Sequence, residues 1–328
     1  MKTEPNVNMT DPFTALHPCY EINNFRYKFT TPPSAVCVML YCFLTLLSVV
    51  TVCGNLLVII SVFYFKQLQT PTNYLVLSLA VADLLVGILV FPLTMAFCPS
   101  ICMYHNNLFC NIRNSVDVYL CTCSVMHLCC ISFDRYYAVC QPLTYKSKIS
   151  HHLIFIMITL SWIVSLLLGI GVVIPKSEEK CQKTCIIDVF MTNTVGTILS
   201  FYLPLFIMLC IYLKIFFVAQ RQARSIQTRM NRGATVSKME RKATKTLAIV
   251  LGVFIFCCTP CFLCITFIPF INNSVPVPVI ETLVWLALTN STLNPFIYAF
   301  FYSWFKSAFK IIMSGKILHR DFSNTKLQ

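Results

Sequence analysis

The sequence has few charged residues and few glycines, and each shortage excludes a class of protein. Only 11% of the 328 residues are charged, whereas about 25% is usual in a soluble domain. Hydrophobic residues make up 57% of the chain, and apolar runs of roughly 20 residues recur, which indicates a helical membrane protein. With eight glycines and no internal repeat, the chain does not fit a transporter built from broken helices and repeated halves.

Catalytic and metal-binding motifs are also missing. There is no HExxH or GxSxG sequence, and no CxxC pairs stand at zinc-ligand spacing in a polar loop. His127 stands alone in an apolar stretch, where a core histidine is the simpler interpretation. We therefore expect neither an enzyme nor a cysteine-ligated zinc site.

Hydropathy divides the chain into seven apolar segments, each long enough to cross about 30 Å of hydrocarbon as a helix. The predicted fold class is an all-α membrane protein, a seven-transmembrane helix bundle. The predicted spans are 35–65, 72–97, 107–139, 152–174, 190–219, 242–268 and 277–302. We expect an extracellular tail over 1–34, the bundle over 35–302, an amphipathic helix on the membrane surface over 303–314 and a disordered cytoplasmic tail over 315–328.

Basic residues predict the orientation of the bundle. Of the 25 Lys and Arg residues, 18 fall in the loops and tail on one side of the seven spans, and that side is predicted to be cytoplasmic. The cytoplasmic loop at about 219–245 is predicted to be short and basic. The N-terminus is then outside, where Asn8 and Asn272 begin glycosylation sequons. The net charge of +13 is explained by this asymmetry, and we expect no nucleic-acid partner.

Polar residues recur inside the apolar spans, where each is costly unless it is paired. Any one of them has a simple structural explanation, such as a bond between helices or a proline kink. These polar residues, together with a tryptophan and the prolines of the spans, are in chain order Asn55, Asp83, Asp117, Asp134-Arg135-Tyr136, Trp162, Pro204, Pro260 and Asn294-Pro295.

The order and spacing of these residues resemble those of the rhodopsin-like G-protein-coupled receptors over nearly the whole chain. The extension Tyr298-x-x-x-Tyr302-x-Trp304-Phe305 is similar to the fingerprint of the trace amine-associated receptors, particularly the fish-like olfactory type. The resemblance implies a plasma-membrane receptor that senses a small protonated amine and activates a heterotrimeric G protein, of the stimulatory, cyclic-AMP-raising type. Arrestin, receptor kinases and the lipid bilayer are further expected partners. The alternatives are a receptor for another biogenic amine, a peptide or a lipid.

Asp117 is the predicted ammonium-binding residue. It lies seven residues below Cys110, which is about 10 Å along a helix, and so within reach of a ligand from outside. Arg113, one turn above, is the only basic residue in the spans that is placed to pair with it. Two interpretations therefore stay open: an Asp117–Arg113 pair with a structural role, or a carboxylate that receives a ligand ammonium, as the resemblance implies.

The rest of the predicted pocket departs from the aminergic pattern. Cys258 stands where the family has Trp, and Leu288 where many amine receptors have Tyr. Gly196 occupies the region in span five where diamine receptors resemble one another in carrying a second acid. These changes predict a roomier, less aromatic and less polar pocket for a simple aliphatic or small aromatic amine, with a diamine as the less favoured alternative. The predicted ligand-binding residues are Asp117, Val118, Cys121, Thr197, Ser200, Cys258, Cys261, Phe262, Trp285, Leu288 and Ile187.

The resemblance also implies disulfides, a switch and a polar core. The implied disulfides are Cys110–Cys185 and Cys19–Cys181; Cys98 and Cys102 have no assigned role. The implied switch and G-protein residues are Asp134, Arg135, Tyr136, Tyr212, Phe254, Pro260, Asn294, Pro295 and Tyr298. The implied polar core, in which related receptors bind sodium and Asp83 is the expected metal ligand, is Asn55, Asp83, Asn290, Ser291 and Asn294. No other cofactor is expected.

Overall fold

The computed structural model describes residues 19–22, 26–29, 35–95, 107–173, 194–228, 234–267, 277–301, 303–315 and 324. In this part of the chain seven long helical segments form a bundle, which confirms the predicted fold class. We call them spans one to seven. Their bounds are Ala35–Tyr64; Pro71–Leu85 continued by Val86–Val90 and Phe91–Met95; Asn107–Cys140; His151–Val173; Thr194–Thr197 continued by Ile198–Tyr202 and Leu203–Thr228; Ala234–Phe267; and Val277–Phe301.

Six of these helices are long and apolar enough to cross a membrane by length and composition alone. They are Val38–Tyr64, Pro71–Met95, Asn111–Cys140, His151–Gly171, Ile198–Arg221 and Ile249–Phe267. Span seven has 25 residues, which is also long enough, but it carries Glu281 and a polar run from Thr289 to Asn294. Those polar side chains are largely buried in the bundle, while many large apolar side chains of the other spans face outward.

Span three is the centre of the bundle, because it packs against spans two, four and five. Span one contacts spans two and seven, and span six contacts spans five and seven. We call the end of the bundle at which span three begins, near Asn107, the upper end, and the end at which it finishes, near Cys140, the lower end. These neighbours bring polar residues from spans two, three and seven together in the interior.

Prolines explain the irregular turns in spans two and five. The π-helical turns Val86–Val90 and Ile198–Tyr202 lie just before Pro92 and Pro204. Proline has no N–H, and its ring clashes with the carbonyl four residues earlier, so the preceding turn widens. The widened turn of span five carries Ser200, one of the predicted ligand-binding residues.

Two glycines let helices approach closely. A Cβ atom added at Gly54 would lie 3.1 Å from Pro295, so span one and span seven touch there. A Cβ added at Gly169 would lie 2.9 Å from the Cβ of Tyr119 and 3.1 Å from the backbone oxygen of Ser115. Ser115 also donates a hydrogen bond of 2.7 Å to the Gly169 carbonyl. Spans three and four are therefore held in direct backbone contact beside Asp117.

The predicted bounds of the loop at 219–245 are wrong, because helices occupy most of that segment. Span five continues to Thr228 and span six begins at Ala234, so both helices extend beyond their apolar segments. Hydropathy marks the part of a helix that lies in lipid, whereas Arg, Lys, Gln and Ala are good helix formers in water as well. The helix itself does not end where hydropathy falls.

Shorter elements complete the described chain. The strands Cys19–Ile22 and Arg26–Phe29 pair as an antiparallel hairpin, with Cys19 opposite Phe29, and no feature of our prediction anticipated this hairpin. A helix at Pro142–Lys148 follows span three, and another covers Ser303–Met313 after span seven. In that last helix, Phe305 and Ala308 are buried while Lys306 and Lys310 are exposed, so it is amphipathic.

Candidate amine-binding site and switch

Asp117 lies beside a small cavity between spans three, five, six and seven, toward the upper end of the bundle. The cavity has a volume of about 60 Å³. Its lining includes the predicted residues Asp117, Val118, Cys121, Thr197, Ser200, Cys261, Phe262 and Leu288. Sequence reasoning missed Thr122, Leu168, Gly196, Ile265, Val284 and Ala287, which also line it. Most of these lie within a few residues of a predicted member, so helical spacing is the signal that would have found them.

The Asp117 carboxylate has one weak hydrogen-bond donor. The Cys121 thiol, one turn below, donates to Asp117 Oδ1 at 3.2 Å. Among the described residues, the structure records no ion pair to Asp117. A carboxylate in an apolar cavity with only a thiol donor is poorly stabilised. A cation that bound next to it would stabilise its negative charge.

Arg113 forms an ion pair with Glu281 of span seven, which the sequence analysis did not consider. Arg113 Nη2 lies 3.2 Å from Glu281 Oε2, and Nη1 lies 3.4 Å from Oε1. The two side chains are only 2% and 8% exposed. The structural alternative of an Asp117–Arg113 ion pair is therefore not what the structure shows. The signal was available, because an acidic residue inside span seven is costly and needs a partner.

The walls of the cavity are mostly apolar, and Phe262 is its one aromatic residue among the described side chains. The Phe262 ring stacks on Phe201, with 3.9 Å between ring centroids and 4° between planes. Tyr202 of span five donates or accepts a 2.8 Å hydrogen bond with Thr266 of span six. These contacts join spans five and six next to the cavity.

Two predicted pocket residues do not line the cavity. Cys258 is buried in the main apolar core together with Phe201 and Phe254. Trp285 packs in the neighbouring apolar cluster that includes Leu288. The expectation of a roomier, less aromatic and less polar pocket stays a prediction from the sequence.

At the lower end, Arg135 and Asp134 form an ion pair to which Thr72 and Tyr145 also form hydrogen bonds. Arg135 Nη2 lies 2.6 Å from Asp134 Oδ2, and Arg135 Nη2 also donates to Thr72 Oγ1 at 2.6 Å. Thr72 donates to Asp134 Oδ2, and Tyr145 donates to Oδ1, each at 2.9 Å. Burial raises the pKa of Tyr145, so its hydroxyl stays protonated and available as the donor.

A cavity of about 300 Å³ opens next to this ion pair. The predicted switch residues Arg135, Tyr212, Phe254 and Tyr298 line it, together with Trp304 and Phe305 of the terminal helix. Ser132 donates a 3.3 Å hydrogen bond to the Tyr212 hydroxyl. Tyr136 lies elsewhere, in a small cluster with Val139 and Ile215. Pro260 and Pro295 lie inside spans six and seven.

The polar core forms around Asp83, which is fully buried. Ser124 and Ser291 donate to Asp83 Oδ1 at 2.8 and 2.7 Å, and Asn294 donates to Oδ2 at 2.8 Å. Asn55 donates to the backbone oxygens of Thr51 and Ser291, while its own Oδ1 is buried without a hydrogen-bond partner in the described chain. Asn290, which precedes Ser291 in span seven, is also buried. Ser124 was not predicted.

His127 has the structural role that the sequence favoured. Its Nδ1 and the Cys123 carbonyl are 2.7 Å apart, and its Nε2 and Ser78 Oγ are also 2.7 Å apart. Trp162 donates to the same Ser78 hydroxyl at 2.9 Å. A neutral imidazole with its proton on Nδ1 satisfies every group in this chain of hydrogen bonds, which links spans two, three and four.

Several predictions fall outside the described side chains. These are the disulfide partners Cys19, Cys110, Cys181 and Cys185, the residues Cys98, Cys102 and Ile187, and the sequons at Asn8 and Asn272. They stay predictions from the sequence.

Seven helices, a buried Asp-Arg pair at the lower end of span three and a polar core between spans two, three and seven together define a class of membrane receptor. The family model described as 7 transmembrane receptor (rhodopsin family) matches residues 54–298. The chain is 40% identical to trace amine-associated receptor 1 of Homo sapiens over 94% of this chain and 97% of that protein. It is 36% identical to trace amine-associated receptor 4 of Mus musculus over 98% and 99%, and 38% identical to trace amine-associated receptor 2 of Homo sapiens over 94% and 91%.

The chain therefore belongs to the trace amine-associated receptors, within the rhodopsin family. It is a multi-pass membrane protein and a signalling receptor, not an enzyme. A G protein and a small-molecule ligand are its partners as a member of that family.

Proposed function

We propose that this receptor binds a small protonated monoamine through Asp117 and activates a stimulatory G protein that raises cyclic AMP. We place it in the plasma membrane with its N-terminus outside, as the distribution of basic residues favours, and we propose that it serves in olfactory detection of amines. The observation that carries the amine proposal is a carboxylate without an ion-pair partner among the described residues, set in an otherwise apolar cavity.

The chemistry of the cavity favours an ammonium ligand with a small apolar body. Taking an ammonium out of water is costly unless an opposite charge receives it, and Asp117 supplies that charge. The apolar wall formed by Val118, Ile265, Val284 and Leu288 suits an alkyl chain, and the single ring of Phe262 offers limited cation–π support. A cavity of about 60 Å³ favours a small ligand over a peptide or lipid.

The lower end supports the G-protein part of the proposal. Arg135 is held by Asp134 and Thr72 beside a cavity of about 300 Å³. An ion pair between neighbours can exchange partners when helices move, which makes it a two-state element. Movement of span six away from span three would widen this cavity, which Arg135 lines together with Val250 and Phe254 of span six, and so make Arg135 accessible to a G protein.

We further propose that the polar core holds a sodium ion, which is a hard cation and prefers oxygen ligands. The residues present fit this ion. The Asp83 carboxylate and the hydroxyl oxygens of Ser124 and Ser291 converge, and Asn55 Oδ1 is a buried acceptor without a partner in the described chain. Bound there, sodium would neutralise the Asp83 charge.

The amine proposal is tested with a panel of amines on cells that express the receptor, with cyclic AMP as the readout. We expect at least one monoamine to raise cyclic AMP, and Asp117→Ala to abolish the response at equal surface expression. Asp117→Glu, which keeps the negative charge on a longer side chain, is the matched control and should retain a weaker response.

Each part of the proposal can fail separately. An amine response that survives Asp117→Ala would rule out this aspartate as the ammonium site. A response that depends on Asp117 but appears as calcium release without cyclic AMP would leave the amine site intact and contradict the stimulatory G protein.

A further inference from the structure

Three charged side chains, Arg113, Asp117 and Glu281, lie toward the upper end of spans three and seven. Arg113 is four residues before Asp117 in span three, and side chains at that spacing share one face of a helix, with roughly 5–6 Å between their Cβ atoms. Arg113 and Glu281 both lie close enough to act electrostatically on the Asp117 carboxylate, with opposite signs. The arginine is nevertheless in two-point contact with Glu281 of span seven.

Arg113 thus has two acidic groups within its reach, and the structure shows which one it binds. A guanidinium binds a carboxylate best through two parallel hydrogen bonds, and Glu281 provides both. If Glu281 lost its charge, the buried Arg113 guanidinium would lose its two-point anionic partner, and removing one partner of a buried ion pair is strongly destabilising. Asp117, one turn along the same helix, is the nearest candidate for a replacement partner.

We infer that Glu281 determines the ligand specificity of the amine site: by binding Arg113, it keeps Asp117 available to a ligand and leaves the described charged side chains of the site with a net charge of −1. This inference rests on the proposed function, since it concerns the same carboxylate. Glu281 is a positioning residue, because it acts on the ligand through Arg113. The ligand class that follows is a monocation.

Charge balance explains the selectivity. Among the described side chains of the site, Arg113 contributes one positive charge and the two carboxylates of Asp117 and Glu281, when ionised, contribute two negative charges, so one ammonium balances them. A diamine would bring a second positive charge beside the Arg113 guanidinium, where burial makes an uncompensated charge costly. Removing the Arg113 charge would leave two carboxylates, which suit a dication.

The test compares four receptors: wild type, Glu281→Gln, Arg113→Gln and the double variant Arg113→Gln/Glu281→Gln. Each is normalised for surface expression and assayed with pentylamine and related primary monoamines, and with 1,5-diaminopentane and other diamines matched to them in carbon number. Asp117→Asn is measured in parallel. Asp117→Asn establishes whether the response uses the proposed site at all.

We expect Glu281→Gln to reduce monoamine potency about tenfold or more, because Arg113 then occupies Asp117. The double variant should recover to within about threefold of wild type, since the competing arginine is gone. In Arg113→Gln, the potency of diamines relative to monoamines should rise about tenfold or more. A bridge with a purely structural role also allows recovery in the double variant, because removal of both partners leaves no unpaired buried charge, but it predicts the same change for monoamines and diamines in every variant. An unchanged ratio of diamine to monoamine potency in Arg113→Gln would therefore contradict the inference.

The outcomes separate the inference from the proposed function. No response to any amine, or a response that persists in Asp117→Asn, overturns the proposed function and the inference with it. A response that Asp117→Asn abolishes, combined with unchanged potency in Glu281→Gln or with no recovery in the double variant, overturns the inference alone.

Discussion

Individual acidic residues inside the bundle differ in how they are neutralised, and this difference separates their roles. Asp134 is bound by Arg135, and Glu281 by Arg113. Asp83 accepts three hydrogen bonds from neutral side chains, and Asp117 accepts one from a thiol. The sequence located the three aspartates but missed Glu281. Arg113 and Glu281 lie in different spans, and no sequence spacing relates two residues that meet across a helix bundle.

A single substitution at Asp83 tests the proposed sodium site. A ligand that binds only the folded state stabilises it, so the detergent-solubilised receptor should have a Tm a few degrees higher in sodium chloride than in choline chloride of the same ionic strength. Asp83→Asn should abolish that difference, because a neutral amide cannot replace the anionic ligand. Differential scanning fluorimetry measures both.

Asp117→Asn is the matched control, since it removes the other aspartate of the spans that lacks a basic partner among the described residues. It should keep the sodium-dependent rise in Tm. A rise of equal size in the Asp83→Asn receptor would contradict a sodium site at the polar core.

The helices show where hydropathy is informative and where it is not. It located all seven spans, because lipid requires long apolar segments. It misplaced the ends of spans five and six, because a helix continues into water as long as its residues are good helix formers. The π-helical turns of spans two and five were not predicted either, although Pro92 and Pro204 were visible. A proline indicates a distortion but not which one.

A substitution at Gly169 tests whether close packing of spans three and four stabilises the bundle. Gly169→Ala would place a Cβ 2.9 Å from the Tyr119 Cβ and 3.1 Å from the Ser115 backbone oxygen, and neither atom is the end of a flexible side chain. The helices must separate, at a cost of about 1–3 kcal/mol. We expect a lower Tm and less receptor at the cell surface.

Gly171, two residues further along span four, provides the matched control. A Cβ added there meets no atom within 4 Å, and alanine favours a helix over glycine by about 1 kcal/mol. Gly171→Ala should therefore leave the Tm unchanged or raise it. Equal losses in the two variants would show that helix contact at Gly169 is not the cause.

The whole molecule combines two features that a sequence reveals to different degrees. The bundle and its family were predictable, because they depend on seven apolar segments and on motifs such as Asp134-Arg135-Tyr136 and Asn294-Pro295. The shape of the amine cavity was not predictable. The loss of Trp at Cys258 suggested extra space in the pocket, but Cys258 is buried in the main apolar core and does not line the cavity, and no sequence pattern reports how side chains from separate helices share a volume.

The central claim is that the charge of Asp117 binds the charge of the ligand, and a comparison of isosteres tests it most directly. Concentration–response curves are measured for an active primary amine and for the alcohol with the same carbon skeleton, on wild type, Asp117→Asn and Asp117→Glu at equal surface expression. We expect the wild type to respond to the amine and not to the alcohol, Asp117→Glu to keep a weaker amine response, and Asp117→Asn to lose it. Equal responses to the amine and the alcohol, or an undiminished amine response in Asp117→Asn, would contradict a charge-based amine site.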